Sequence, residues 1–266
     1  MTEPNSTEGA GGPAAVAAAT ILLVRDHPTF QVLMVKRHHQ IDFAGGALVF
    51  PGGKTHAGDH DPAWTEHIGS PNTDPAQRAL RIAAIREAYE ETGILMARHA
   101  GGEHFQGSLE AAEARDEIAD DSRGFLELVT SLGLRLDLEA PTVFARWITP
   151  VMMPKRFDTW FYIAHAPADQ LALCDGHETV DAEWIAPAEA LRLGEAGERT
   201  VIFPTRMNLK LLAEATSAAD AIARATSRPL VTVLPKVVER DGARSLIIPQ
   251  DAGYGAVVEP MDRVMR

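Results

Sequence analysis

Apolar residues come in short dense runs at the start of the chain and at helical spacing further on. "TILLVRD" (20–26) and "FQVLMVKR" (30–37) predict two strands, with "HPT" as the turn between them. "ALVF" (47–50) predicts a short third strand that stops at Pro51-Gly52-Gly53. From His56 to Thr73 the periodicity disappears, and acids and prolines accumulate. This stretch reads as a long surface loop, with an insertion at about 60–73 serving as a lid or substrate wall outside the core. Beyond it Ile82, Ile85 and Tyr89 recur as the buried stripe of a helix. Asp74 suits its N-cap, Pro75 its first position and Gln77 a capping box, while Gly93 is a natural stop.

Residues 108–133 predict one or two helices. "TVFARWITP", "FDTWFYIAHA" and "ETVDAEWIAP" predict three more strands, and "APAEALRLG" and "PTRMNLKLLAEATSAADAIARAT" predict helices. "VVERDGARSLIIP" predicts a hairpin turning at Asp241-Gly242. No internal repeat is visible. Strands and helices mix without strict alternation, which indicates an α/β or α+β class with a mixed sheet. The expected organisation is a disordered tail over 1–16, a main domain over 17–228 and a C-terminal extension over 229–266. The apolar hairpin of that extension would expose an edge strand if left alone, so a homodimer covering it is expected.

Composition narrows the classes. The 266 residues are 45% hydrophobic, enough for a globular core. A formal net charge of −12 argues against nucleic-acid binding through bulk electrostatics, and an anionic substrate would need local cations or a metal. The single cysteine, Cys174, excludes an intrachain disulfide and fits a reducing, cytoplasmic setting. No apolar run is long enough for a membrane span. The opening "MTEPNSTEGAGGPAAVAAAT" has no basic region and reads as a tail, not a signal peptide.

The chemistry concentrates in "REAYEETG" (86–93). Glu87 and Glu91 are four apart on a helix and Glu90 lies about 60° from Glu87, so the three carboxylates share a side opposite Ile82, Ile85 and Tyr89. Acids near a helix C-terminus oppose the dipole by roughly 0.3–1 kcal/mol each, and like charges four apart repel. Two readings stay open. One is a solvated acidic face; the other is a site for Mg²⁺ or Mn²⁺, which prefer hard oxygen ligands. His56, Asp59 and His60 could imitate a zinc site, although loop histidines are more often polar surface.

"FPGGKTHAGD" (50–59) together with "REAYEETGI" (86–94) resembles the Nudix box, a Gly, five residues, Glu, seven residues and then R-E-U-x-E-E-x-G-U. The second half matches closely. In the first half Asp59 stands for the Glu, and 26 residues separate it from Arg86. That gap, with "WITPVMMPKRFDTWFYIA" and "ETVDAEWIAPAEAL", is similar to the long-insertion branch that includes a peroxisomal coenzyme A diphosphatase, over roughly residues 18–215. The resemblance implies a Nudix fold, a mixed sheet sandwiched between helices, with the hairpin as an extension. It implies metal-dependent hydrolysis of a nucleoside diphosphate derivative, with coenzyme A or acyl-coenzyme A as the first substrate expectation. NADH, ADP-ribose and nucleotide sugars are rivals, as is a non-catalytic nucleotide-binding regulator. Glu87, Glu90 and Glu91 would hold Mg²⁺ or Mn²⁺, Arg86 would orient them, and Gly52 and Gly53 would bring backbone to metal or phosphate. The general base would be Glu90 or another box glutamate, or a later loop carboxylate, for which Glu178 is the candidate. Lys36, Arg37 and Arg156 are candidate phosphate contacts. Trp147 and Trp160 could stack on adenine, though their strand spacing favours core packing.

Overall fold

The computed structural model describes residues 12–37, 46–69, 74–120, 122–168, 170, 172, 179–240 and 243–264. In chain order these form β1 (Val16–Arg25), β2 (Gln31–Arg37), β3 (Leu48–Val49), β4 (Gly52–Lys54), two 3-10 turns (Ala57–His60 and Pro62–Glu66), α1 (Pro75–Thr92) and β5 (Ala97–His99). There follow α2 (Leu109–Asp120), α3 (Ser122–Ser131), β6 (Leu134–Leu136), β7 (Thr142–Ile148), β8 (Phe157–His165) and β9 (Thr179–Ile185). The chain continues through α4 (Pro187–Glu195), α5 (Phe203–Leu212), α6 (Ala218–Ser227), β10 (Thr232–Val233), β11 (Lys236–Arg240), β12 (Ala243–Ile247), β13 (Val258–Pro260) and α7 (Met261–Val264).

The main sheet runs β10-β7-β8-β1-β2-β3, with β4 also on β1 and β9 on β2. The β1–β8 and β7–β10 pairs are parallel and the others antiparallel, so the sheet is mixed. Strand alternation divides its side chains between two cores. From β1, Ala19, Ile21 and Leu23 enter the core that contains α1, while Leu22 and Val24 enter the core that contains α5 and α6. Helices therefore cover both faces, as the α/β expectation required. β1 begins at Val16, inside the alanine-rich stretch expected to be tail, because residues 16–24 find a continuous parallel partner in β8. Ladder pairing there overrides the weak strand propensity of alanine.

β4 follows from the geometry of β1. Near its end, β1 pairs with β2 at Val24 and Arg25; its earlier residues Ala18, Ala19 and Thr20 pair with Lys54, Gly53 and Gly52. The same edge of β1 is thus served first by β4 and then by β2, and the Pro-Gly-Gly stretch is a strand as well as a stop.

α1 starts where expected. The Asp74 carboxylate accepts from the Gln77 amide at 3.1 Å, and Gly93 closes the helix with φ of 75°, a left-handed conformation that glycine adopts without a Cβ penalty. Gln77 does not complete a capping box: its side-chain oxygen accepts from Arg81 and from the Tyr162 hydroxyl.

One expectation is corrected, and one of the two readings of the acidic turn is closed. The described part of the insertion, residues 60–69, is not outside the core. Trp64 and Ile68 are buried beneath α1, Trp64 lies 5.6 Å from the Phe125 ring, and its Nε1 donates to the Gly58 carbonyl. The acidic side of α1 is not solvated, since Glu87, Glu90 and Glu91 are each less than 10% exposed. Part of the apolar extension packs within the chain. β11 and β12 form the expected antiparallel pair, with Asp241 and Gly242 outside the described residues, and Leu246, Ile248 and Ala252 fill the second core. The extension is fastened by polar contacts too: Trp147 Nε1 donates to the Tyr254 hydroxyl at 3.0 Å, and that hydroxyl donates to Asn208 Oδ1 at 2.7 Å.

Candidate active site

The site is organised around one arginine. Arg86 is fully buried in α1, and each of its five N–H donors has an acceptor. Nε and Nη2 donate to the two Asp59 oxygens at 2.9 and 3.1 Å, and Nη2 also donates to the Lys54 carbonyl at 2.9 Å. Nη1 donates to Glu87 at 3.0 Å and to Glu90 at 2.8 Å. The long gap in the box is thereby closed in space, since Asp59 arrives from the first 3-10 turn and grips the guanidinium from the side opposite the helix glutamates. Asp59 also accepts from the His56 amide at 2.7 Å. Among the described residues no His, Cys, Asp or Glu trio forms a metal-binding group, so the zinc reading of His56, Asp59 and His60 gains no support.

β4 is pressed onto these carboxylates. The Gly52 amide donates to Glu91 at 3.1 Å. A Cβ at Gly53 would overlap the Glu87 carboxylate, and one at Gly52 would come within 2.6 Å of the Ala19 carbonyl oxygen. Both glycines are there because backbone must approach so closely.

The electrostatics are unbalanced. Among the described residues, Asp59, Glu87, Glu90 and Glu91 are buried around one guanidinium, that of Arg86. Burial pushes the Glu90 carboxyl up to about 8; Arg86 opposes that rise, while Glu87 and Asp59 add to it. Burial alone would lower the Arg86 pKa, but Glu87, Asp59 and Glu90 outweigh it and leave it raised. Hard oxygen donors, an excess of buried negative charge and a backbone held at the carboxylates by side-chain-free residues together fit a divalent cation such as Mg²⁺ or Mn²⁺. In this structure Glu87 and Glu90 turn oxygens to Arg86 and Glu91 turns one to Gly52, so the set fits as donors and not as a finished coordination cage.

The other predicted contacts are dispersed. Lys36 sits in β2 opposite Leu48 and Asp181, and Arg37 pairs through its backbone with Thr179 after a register shift. Arg156 Nε donates to the Thr149 carbonyl and its Nη1 to the Pro13 carbonyl, which ties strand ends together. Glu178 lies outside the described residues. Trp147 is in the second core, away from α1. The Lys54 carbonyl was not legible beforehand, since every residue carries one and only the fold selects it.

A profile of the NUDT19 Nudix domain matches residues 66–209. The acyl-coenzyme A diphosphatase NUDT19 of Homo sapiens is 28% identical over 204 residues, covering 60% of this chain and 54% of that protein. The Xenopus laevis protein of the same description is 26% identical over 205 residues, covering 61% and 54%. The chain thus spans about half the length of these curated relatives. A NUDIX hydrolase from Alicyclobacillus acidocaldarius has a crystal structure that matches with a TM-score of 0.71 at 26% identity, over 79% of this chain and 96% of that one. The matched profile covers more than half of the chain and contains the whole of α1 with its arginine and three glutamates: the chain belongs to the Nudix hydrolases, in the family of the NUDT19 Nudix domain.

Proposed function

We propose that the protein hydrolyses the diphosphate linkage of a nucleoside diphosphate derivative, with Mg²⁺ or Mn²⁺ as cofactor and coenzyme A or an acyl-coenzyme A as substrate. The observation that carries this reading is the buried Arg86–Asp59–Glu87–Glu90 cluster, with Glu91 beside it and Gly52-Gly53 laid against it. A divalent cation, when bound, offsets the charge of the diphosphate oxygens and lowers the pKa of a water. Glu87, Glu90 and Glu91 would hold that cation. Arg86 keeps Glu87 and Glu90 in register with Asp59, and β4 brings its amides beside them. Glu90, whose carboxyl burial pushes up to about 8, is the candidate to accept a proton from the attacking water. Coenzyme A is preferred over NADH, ADP-ribose and nucleotide sugars because the relatives are described as acyl-coenzyme A diphosphatases.

The test is a panel of coenzyme A, an acyl-coenzyme A, NADH, ADP-ribose and a nucleotide sugar, incubated with Mg²⁺ and resolved by chromatography. Cleavage of coenzyme A at its diphosphate is expected, with most turnover lost in Glu87→Gln and in Glu91→Gln while circular dichroism is unchanged. No cleavage of any compound, or wild-type turnover in either variant, would defeat the reading.

A further inference from the structure

The sheet carries a second cluster of charged and aromatic side chains in line with the carboxylate cluster. Reading across the strands at one level, Gly53 of β4 faces Ala19 of β1, Ala19 faces Trp160 of β8, and Trp160 faces Arg146 of β7. All four lie on the α1 side: a Cβ at Gly53 would meet Glu87, Ala19 belongs to the α1 core, Trp160 packs against that core, and Arg146 lies over the indole at 4.8 Å. Strands are about 4.8 Å apart, so Trp160 stands about 10 Å and Arg146 about 14 Å from Gly53 along this row. That is the reach from a diphosphate to the base of the same nucleotide.

The arrangement is preorganised. Asp158, two residues before Trp160 and so on the same face, accepts from Arg146 Nε at 2.9 Å and from Nη2 at 2.6 Å. The two bonds clamp the guanidinium on the indole, so little side-chain freedom is lost when a ligand stacks on it. Arg146 remains 31% exposed and Asp158 23%. Ala17, opposite Asp158 on β1, is small and exposed, so β1 raises nothing larger than a methyl group beside the pair.

We infer that Trp160, Arg146 and Asp158 form the base-recognition wall of the site, in which the purine of the nucleoside diphosphate stacks on the Arg146 guanidinium and its exocyclic amine donates to Asp158. The inference rests on the proposed reading of the cluster as a diphosphate site. Arg146 and Asp158 touch the base; Trp160 is a positioning residue that backs Arg146. Purines are favoured because their larger π face covers more of the guanidinium, and pyrimidines gain less.

The test measures binding of ADP and of UDP in Mg²⁺ by calorimetry and by tryptophan fluorescence. Wild type is expected to prefer ADP. Arg146→Lys, which keeps the charge and loses the plane, should weaken ADP about tenfold and UDP by less than about threefold, as loss of one base-stacking contact implies. Trp160→Phe should abolish most of the ADP-induced fluorescence change while keeping the preference. Equal weakening of both nucleotides in Arg146→Lys, or none, overturns the inference. So does a lowered melting temperature with the ADP-to-UDP ratio unchanged, the outcome of a purely structural pair. Turnover of the compound panel, measured separately on wild type, separates the two claims. ADP preference without turnover defeats the diphosphatase and leaves the wall; turnover without ADP preference does the reverse.

Discussion

Arg86 has no donor to spare, and that makes it the least replaceable residue of the cluster. Removing one partner of a buried ion pair leaves uncompensated charge and costs about 3–5 kcal/mol. Arg86→Met should therefore destabilise the metal-free protein by about that amount in urea denaturation, and a loss under about 1 kcal/mol would mean that the acids relax into water. Added Mg²⁺ should recover part of the loss, because a cation can replace the missing positive charge. Glu91 gives the opposite sign. Glu91→Gln removes one excess charge near the helix end and keeps an oxygen that can accept from Gly52. In chelator it should be more stable than wild type by a few tenths up to about 1 kcal/mol, and with saturating Mg²⁺ the order should shrink or reverse. Four melting curves decide this, and parallel shifts in both proteins would show that the turn was not shaped by a cation. The identity of these residues was legible from the box spacing. Their burial was not, because helical spacing gives the angle between Glu87 and Glu91 but not what lies above them.

At the scale of the element, the insertion holds the front half of the site in place. Trp64 packs on Phe125, Phe125 stacks with Tyr89 of α1 at 5.8 Å, and the Trp64 Nε1 bond to Gly58 fixes the turn that carries Asp59. Trp64→Ala should cost about 3–5 kcal/mol and lower turnover as well. Trp64→Phe should retain most of the packing and lose about 1 kcal/mol with the hydrogen bond. Thermal melts paired with turnover check both, and full activity in Trp64→Ala would detach the insertion from the site. The caps of α1 were readable because Asp74 and Gly93 act locally. The insertion was misread as surface because 3-10 turns leave no apolar period, and one tryptophan among polar residues gives no sign of which side it faces. β4 was hidden for a related reason: a Gly-Gly-Lys segment has little strand propensity, and it pairs because the β1 backbone beside it needs partners.

The whole molecule is a sheet between two cores with different tasks. The α1 core carries the carboxylates; the other is closed by the residues after Pro229, through β10 on β7 and through Leu246, Ile248 and Tyr254. Tyr254→Phe removes the acceptor of Trp147 and the donor to Asn208, both buried, and should cost about 1–3 kcal/mol while leaving diphosphate hydrolysis intact at low temperature. A variant with normal stability, or one that loses activity at low temperature while still folded, would contradict that division. The row from Gly53 to Arg146 belongs to this scale too, and it could not be read from the sequence, since pairing between distant strands has no local signature. The Asp59–Arg86 bond, finally, closes a loop of polymer. Twenty-six residues lie inside it, where the Nudix box has seven. Closure entropy grows only with the logarithm of length, so the long connection costs about 1 kcal/mol more than the short one. Burying a single large side chain within it supplies about 1.5–3 kcal/mol, and Trp64 does so. The number of residues between the two ends is therefore nearly free to drift among related chains, provided one bulky apolar side chain still lands against Phe125.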